Sequence, residues 1–335
     1  MIINIIIGSI FFSILAYVIY NITIPKTTTT LAPTTTQNIV TNTTKNIVTT
    51  TSVPTTTKNI VTTSNPVFTT TYQPKVRKTY FQAGKGGQPV RVFYDTYWQS
   101  PGGAGGILIN NQGPVSKSGV SYEYINSGGP GGIGYGSGGG ASAYCPNNYI
   151  CGGDDTGSGS PGFVYLVQDD ILFTTDTLYT IQSNYLLYTF ILMGGGACGT
   201  HSSPNTREYP IGGSCGQIVI KQIRGNFKGT QFDIKIGKGG IMKNLPDSEG
   251  LERWLSFSGE NTTVSFILNG NKNDYLAYGA EPPNNNIKGQ NVLSQYTPLA
   301  VGGYYNSSDE ISTPGDSIPQ SVIDNMNSVN PNPTN

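Results

Sequence analysis

Charge is scarce in this chain, and histidine is almost absent. The 335 residues include 19 Lys and Arg against 19 Asp and Glu, charged residues make up 11%, and His201 is the one histidine. Globular proteins contain about 25% charged residues. A balanced charge provides no field that would steer the protein to DNA or RNA. We therefore expect no nucleic-acid partner.

Clear patterns of common enzyme chemistry are also scarce. A histidine-dependent triad could use His201 alone. The tetrapeptide GKGG occurs at 84–87 and 237–240, but no Ser or Thr follows the lysine, as a phosphate-binding loop requires. The acidic residues are scattered or adjacent, as in Asp169 and Asp170, and do not suggest the spaced carboxylate pair of a glycosidase. We predict no enzymatic activity and no cofactor.

The N-terminal segment lacks charged side chains. Ile2–Ile24 is an apolar run, and about 20 apolar residues suffice to cross a bilayer as a helix. A cleaved signal peptide would need a basic start and a small-residue cleavage site, and neither is present. We therefore predict a transmembrane helix at 1–25, with the lipid bilayer as its partner.

The next segment, 26–79, lacks the residues of a folded core. From Lys26 to Tyr72 it contains no Gly, Asp or Glu, is dominated by Thr, and repeats the sequence NIVT three times at uneven spacing. Such a composition buries too little apolar area to offset the entropy of ordering. It is typical of O-glycosylated stalks, and an unmodified linker is the alternative. We predict a disordered stalk.

The orientation of the chain follows from several weak signals. Lys26 alone would favour a cytoplasmic C-terminal side by the positive-inside rule. The Thr-rich stalk, the cysteines and the N-x-S/T sequons favour an exposed side instead. We predict N-glycosylation at three positions: Asn42, Asn261 and Asn306. The expected localisation is a single-pass protein of a host or virion membrane with its C-terminal part exposed.

The remaining chain has short apolar and aromatic runs bounded by Gly, Asn and Pro, which is a pattern of strands and turns. No sustained helical period is present, and the predicted class is all-β. The predicted strands are Pro89–Asp95, Gly106–Asn110, Phe163–Gln168, Asp170–Thr174, Leu178–Gln182, Tyr185–Met193, Gln217–Ile223, Gln231–Ile236, Thr262–Leu268 and Tyr275–Tyr278.

Glycine is concentrated in clusters between these runs. The clusters include PGGAGG at 101–106, GGPGGIGYGSGGGAS at 128–142 and GGGACG at 194–199. Glycine permits close backbone approach but costs conformational entropy, so this density needs a structural reason. Packed polyproline-II-like segments or tight strand connections would supply it.

The order of runs and clusters resembles a known type of module. DILFTTDTLYTIQSNYLLYTFILMGGGACG at 170–199, followed by GGSCGQIVIKQI, QFDIKIGKGG and ENTTVSFILNG, resembles the glycine-rich β-sandwich modules of giant, mimivirus-like DNA virus surface proteins and of phage tail fibres. The segment Ala277–Asn286 departs from this pattern, because such modules usually carry another glycine run there.

The resemblance implies a jelly-roll-like β-sandwich with a structural, adhesive or receptor-facing role. We predict a glycine-rich β segment at 80–168, a glycine-rich β-sandwich at 169–305 and a disordered tail at 306–335. The expected function is that of a displayed surface protein without catalysis. The alternative is an attachment module that binds a host-cell glycan or receptor, and a homo-oligomer would suit either function.

The four cysteines allow two readings. Their even number in glycine-rich loops favours disulfides, and the pairs Cys145–Cys151 and Cys198–Cys215 each bracket a local loop. The alternative is a zinc site that combines Cys198, His201 and Cys215 with one of the other cysteines. The loose spacing argues against zinc, and we predict no metal.

Aromatic residues are the candidates for binding. Tyr94, Tyr97 and Trp98 could stack on a sugar or anchor a partner. The alternative is that these side chains cover the core.

Overall fold

The computed structural model describes residues 77–94, 96–119, 128–142, 157–200, 210–246, 252–282, 296–306 and 311–330. The predicted membrane segment Ile2–Ile24, the sequon at Asn42 and nearly all of the stalk lie outside these ranges. Within them, no helix has the length and apolarity needed to cross a membrane.

The described residues form antiparallel β-sheets and one short helix. The strands are β1 (Phe81–Ala83), β2 (Val90–Tyr94), β3 (Thr96–Ser100), β4 (Ile107–Ile109), β5 (Phe163–Leu166), β6 (Ile171–Phe173), β7 (Thr177–Thr180), β8 (Leu187–Met193), β9 (Ile218–Arg224), β10 (Gln231–Lys235), β11 (Met242–Pro246), β12 (Glu252–Ser256), β13 (Thr262–Leu268), β14 (Asn271–Ala277), β15 (Tyr305–Asn306) and β16 (Ile311–Ser312). The helix is α1 (Gln320–Ser328). Each predicted strand overlaps an observed one.

Two four-stranded sheets form a sandwich. The inner sheet has the order β6-β5-β8-β9, and the outer sheet has the order β14-β13-β10-β7. Buried side chains of both sheets form one hydrophobic cluster, which includes Val164, Leu166, Phe190, Leu192, Phe232, Ile234, Val264 and Phe266. The outer sheet has one polar face, so β10 (QFDIK) alternates between exposed and buried positions, as expected for a half-buried strand.

The inner sheet is covered on both faces. Its second face packs Phe163, Tyr165, Ile191 and Met193 against β1, β4 and α1 in a second hydrophobic cluster. Strands β5 (FVYL) and β8 (LYTFILM) are therefore continuous apolar runs, because neither face meets water.

The β13–β14 hairpin shows how a local sequence sets the register. Its turn consists of Asn269 and Gly270, both with positive φ, 51° and 79°. Asn-Gly is the preferred pair for a two-residue turn of this kind. The turn pairs Leu268 with Asn271 and, at the far end, Thr262 with Ala277.

The C-terminal region differs from the predicted disordered tail. Strand β16 and helix α1 lie within 311–330, and Ile323 and Met326 of α1 are buried in the second cluster. Asn327 exchanges two hydrogen bonds with the backbone of Phe81, at 2.8 and 2.9 Å. The prediction of disorder is wrong for these residues, because a nine-residue helix is shorter than the window of about 11–18 residues over which a helical period is recognised.

The predicted boundary between 168 and 169 is also wrong. Strand β5 lies before it, yet β5 pairs with β6 and β8, which lie after it. The first predicted segment therefore supplies an internal strand of the sandwich and is not a separate domain.

Extended, glycine-containing segments, most of them outside the strands, pack against one another beside the sheets. We call this set the glycine bundle. Its segments are 84–87, 101–106, 114–119, 128–134, 136–142, 157–162, 194–200, 211–217, 236–241, 257–261, 278–280, 300–303 and 313–316.

Segment 194–200 shows the geometry of the bundle. Seven consecutive backbone N–H groups donate to three neighbouring segments in turn. Gly194, Ala197 and Thr200 donate to Gln217, Ser214 and Ile211; Gly195 and Cys198 donate to Glu260 and Phe257; Gly196 and Gly199 donate to Ser160 and Gly157. A repeat of three residues is that of polyproline II, whereas a strand repeats every two. Of the two explanations offered for the glycine density, the structure therefore shows packed polyproline-II-like segments.

Close packing explains why glycine is needed. A Cβ atom placed on Gly196 would lie 2.0 Å from the carbonyl oxygen of Ser137. On Gly213 it would lie 2.2 Å from the carbonyl oxygen of Ala197. Any other residue at these positions would push the segments apart and break their hydrogen bonds.

Candidate functional site

The three aromatic residues predicted for binding lie in one hairpin. Tyr94 is the last residue of β2, and Tyr97 and Trp98 lie in β3. The register pairs Phe93 with Tyr97 and Val92 with Trp98. Their side chains lie outside the described part of the structure, so their role in binding stays a prediction.

The two described cysteines are buried in the glycine bundle and are not joined to each other. The sulfur of Cys198 donates to the carbonyl oxygen of Gly199, at 3.1 Å, and the sulfur of Cys215 accepts from the N–H of Ala300, at 3.3 Å. The structure therefore does not contain the predicted Cys198–Cys215 bridge, since each sulfur is held by backbone groups of the bundle. Cys145, Cys151 and His201 lie outside the described residues.

Burial also makes both thiols unreactive. It raises the pKa of Cys198 to about 12 and the pKa of Cys215 to about 11, because a thiolate is poorly solvated in the bundle. Within the described ranges, no group of His, Cys, Asp and Glu side chains is arranged to hold a metal ion.

Two serine features resemble parts of catalytic sites, and both are buried in the glycine bundle. The sequence GGSCG at 212–216 has the spacing of a nucleophile elbow, but it forms an extended bundle segment without the strand-turn-helix context of that motif. Ser116, Ser137 and Ser160 form a cluster of buried hydroxyls with O–O distances of 2.7 to 3.1 Å. The hydroxyls of Ser116 and Ser137 also donate to backbone carbonyls.

The predicted sequons have different outcomes. Asn261 is exposed immediately before β13, and its Oδ1 accepts a hydrogen bond from the N–H of Gly279, at 2.9 Å. Asn306 ends β15, but its side chain is outside the described part. Glycosylation at these two positions and at Asn42 stays a prediction.

A pocket of about 370 Å³ lies beside Asn261, where bundle segments 257–261 and 278–280 meet Tyr296. Small-molecule sites in proteins are about 300–1,000 Å³ in volume, so the pocket suits a small ligand. Its walls include the rings of Tyr278 and Tyr296, which are nearly parallel, at 9°, with centroids 6.5 Å apart. Besides the tyrosines, the polar residues that line it are Ser258, Glu260, Asn261 and Glu281.

The hydroxyl of Tyr296 already makes a hydrogen bond within the protein. It donates to the carbonyl oxygen of Cys215, at 2.7 Å. Burial raises the pKa of this phenol well above its usual range, so the hydroxyl keeps its proton and the hydrogen bond holds the ring in place. Tyr296 therefore offers the pocket the surface of its ring.

The backbone around the pocket is held on several sides. Gly259 donates to Ala280, Ala280 donates to Gly195, and Glu260 donates to Lys238, each at 2.8 Å. The N–H of Tyr278 donates to the side chain of Gln217, at 3.1 Å. Glu260 and Asn261 are thus carried by a hydrogen-bonded segment of the bundle.

Sequence reasoning missed these residues as a site. Tyr278 and Glu281 lie within Ala277–Asn286, the segment noted for its departure from the glycine pattern. That departure was the available signal. Glu260 and Tyr296 have no such sequence signal, because only the tertiary fold brings them to the pocket.

Comparison of the chain with protein-family models, with curated proteins and with solved structures gave no match.

Proposed function

We propose that this is a membrane-anchored surface or structural protein of a large DNA virus, which displays a glycine-rich β head on a glycosylated stalk and has no catalytic activity. The viral assignment rests on the sequence resemblance described above. The apolar run Ile2–Ile24 and the Thr-rich segment that follows it support the anchor and the stalk.

The observation that carries the proposal is the hydrogen bonding of segment 194–200, in which seven consecutive N–H groups bind three neighbouring segments. Backbone bonded in three directions resists local opening, because each segment is held by all its neighbours. A head in which few segments unfold locally suits a protein that must persist on an exterior surface.

The contact between Arg77 and helix α1 supports the display function as well. Arg77 donates to the carbonyl oxygens of Met326 and Asn327, at 2.9 and 3.2 Å, and stacks over Phe81 and Tyr165. We infer that the stalk joins the head at this contact, a few residues before the predicted boundary at residue 80.

Protease protection on intact membranes or particles tests this proposal. The full-length protein would carry a C-terminal epitope tag, and protease would be added before or after detergent lysis. We expect cleavage in the stalk before lysis, with release of a resistant fragment that begins near residue 77. A chain that stays intact until lysis would overturn the predicted orientation.

A second candidate function is an attachment module that binds a host-cell glycan or receptor. The pocket beside Asn261 favours it, because its lining combines aromatic residues with polar ones. A glycan array tests this function. Binding that is lost in the Trp98→Ala variant would assign it to the β2–β3 hairpin, whereas silence across the array would favour display alone.

We also propose that the sandwich is jelly-roll-like. Two packed antiparallel sheets of four strands support this, and so do connections that pass between the sheets from β6 to β7, from β7 to β8 and from β9 to β10. Homo-oligomerisation of the head is a further proposal that sedimentation of the purified protein would test.

A further inference from the structure

We infer that the pocket formed by Glu260, Asn261, Tyr278, Glu281 and Tyr296 binds an uncharged sugar. This inference rests on the attachment function proposed above and assigns it a site other than the β2–β3 hairpin. The chemistry of the lining residues carries the inference, together with the rigidity of their backbone.

The charge of the pocket selects against anionic ligands. Glu260 and Glu281 place two carboxylates in the lining, and none of the described lining residues is Lys or Arg. Bringing a sialic acid or a sulfated sugar close to two carboxylates would cost free energy by like-charge repulsion. The ligand must instead supply hydrogen-bond donors, since ionised carboxylates only accept.

Asn261 distinguishes a sugar from a cation. The N–H of Gly279 can only donate, so its 2.9 Å bond fixes Oδ1 of Asn261 as the acceptor. The Nδ2 group then remains as a donor of two hydrogen bonds. A hydroxyl group can accept from this amide while donating to a carboxylate, whereas a simple ammonium group cannot accept.

The tyrosine rings supply the apolar part of the site. The C–H face of a pyranose ring is apolar, and the amphipathic rings of tyrosine suit ligands that are apolar on one side and polar on the other. Tyr296 is held by its bond to Cys215, and Tyr278 adjoins Gly279, whose N–H is bonded to Asn261. Preorganised groups of this kind bind with a smaller entropic cost.

Saturation-transfer NMR on the full-length protein tests the inference. The protein would be made in a bacterial host without N-glycosylation, because the inferred site and the predicted glycan on Nδ2 of Asn261 exclude each other. A polyoxyethylene detergent avoids sugar headgroups. The probes are the methyl glycosides of galactose, glucose, mannose and N-acetylglucosamine, with methyl sialoside and choline as anionic and cationic probes.

We expect saturable, millimolar binding of at least one neutral glycoside. Glu281→Gln should weaken it about tenfold, because a charge-assisted hydrogen bond is lost. Tyr278→Ala should abolish it, while Tyr278→Phe, which keeps the ring, should retain it. Asp233→Asn and Tyr80→Ala change an exposed acid and an exposed tyrosine outside the pocket and should bind as the unaltered protein does.

Binding of choline or sialoside alone, binding that the pocket variants leave unchanged, or no binding of any neutral glycoside would each overturn the inference. These outcomes are separate from the protease experiment. A head that is exposed on the membrane but does not bind sugars would leave the display function standing and remove this site.

Discussion

The sandwich and the glycine bundle are parts of one chain but are stabilised by different interactions. In the sandwich, large side chains such as Phe232 and Phe266 pack with ring centroids 4.7 Å apart. In the bundle, the space between segments is so narrow that a single Cβ atom would overlap a neighbouring carbonyl. The first region depends on apolar area removed from water. The second depends on backbone hydrogen bonds made at close range.

This difference teaches that the two regions should respond differently to the same kind of change. The bundle should be destabilised by added atoms at its closely packed glycines, whereas the sandwich should be destabilised by removal of atoms from its buried side chains. Strand β8 of the inner sheet runs directly into bundle segment 194–200. A destabilising substitution in either region should therefore lower the stability of both.

The largest effect is expected from adding one carbon to the bundle. Gly196→Ala would place Cβ 2.0 Å from the carbonyl oxygen of Ser137, and we expect a loss of more than about 4 kcal/mol in the free energy of unfolding, or failure to fold. Urea denaturation followed by circular dichroism measures it. Gly229→Ala is the control: Gly229 has a φ of +81° and no neighbour within 4 Å, so the backbone strain alone should cost about 1–2 kcal/mol. Equal losses in the two variants would contradict the close-packing explanation.

The next effect is expected from removing atoms in the sandwich. Phe232 is fully buried among the rings of Phe190, Phe227 and Phe266, and Phe232→Ala should lower the free energy of unfolding by about 3–5 kcal/mol. Leu178→Ala, at a side chain that is 61% exposed, should cost less than about 0.5 kcal/mol. A small loss at Phe232 in the same denaturation measurement would mean that the two sheets are not packed as described.

A smaller effect is expected where the two regions join. The Oγ1 of Thr262, at the start of β13, accepts from the N–H of the bundle residue Gly237, at 2.9 Å. Thr262→Val keeps the shape but leaves that buried N–H without an acceptor, which should cost about 1–3 kcal/mol. Thr263→Val, one position along the strand, is the matched control and should change the free energy of unfolding by less than about 0.5 kcal/mol. If both substitutions had the same small effect, this hydrogen bond would not link the regions.

The smallest effect is expected from the bundle thiols at high pH. Their pKa values are raised above the ordinary value of 9.0, to about 12 for Cys198 and about 11 for Cys215. The unfolded chain therefore loses these protons first, and stability that is fully present below pH 9 should fall as the pH rises towards the folded pKa values. At pH 10 the loss should be on the order of 1 kcal/mol per thiol.

Urea denaturation at pH 8 and pH 10 measures this loss, and Cys198→Ala should reduce the difference between the two. Thiol titration of the denatured protein without reductant is the control. If neither Cys198 nor Cys215 reacted, the two would be oxidised in the protein and the explanation from buried thiols would fail.

Much of the fold was predictable, because its signals are local. Phe163–Gln168 and Gln231–Ile236 have the length and composition of strands, and both contain one. The Asn269–Gly270 turn has a sequence that specifies its shape. Helix α1 was missed, because its burial depends on β1, more than 200 residues earlier in the chain.

The candidate site was less predictable than the fold. Tyr278 and Glu281 fall in a segment that departs from the glycine pattern, but a departure does not indicate what the residues contact. Glu260 and Tyr296 join them because bundle segments cross beside the outer sheet. No local spacing encodes such a meeting of distant residues.

The sequence by itself determined the β class, because short apolar runs between turn residues are a local property. It also determined where backbone segments can pack too closely for a side chain, because glycine is the residue without a Cβ atom. Tertiary structure alone decided that β5 belongs to the sandwich, that the C-terminal helix covers the inner sheet and that two tyrosines and two carboxylates face one pocket. These features depend on which distant segments exchange hydrogen bonds, and in a bundle bonded in three directions each partner is chosen by the packing of all the others.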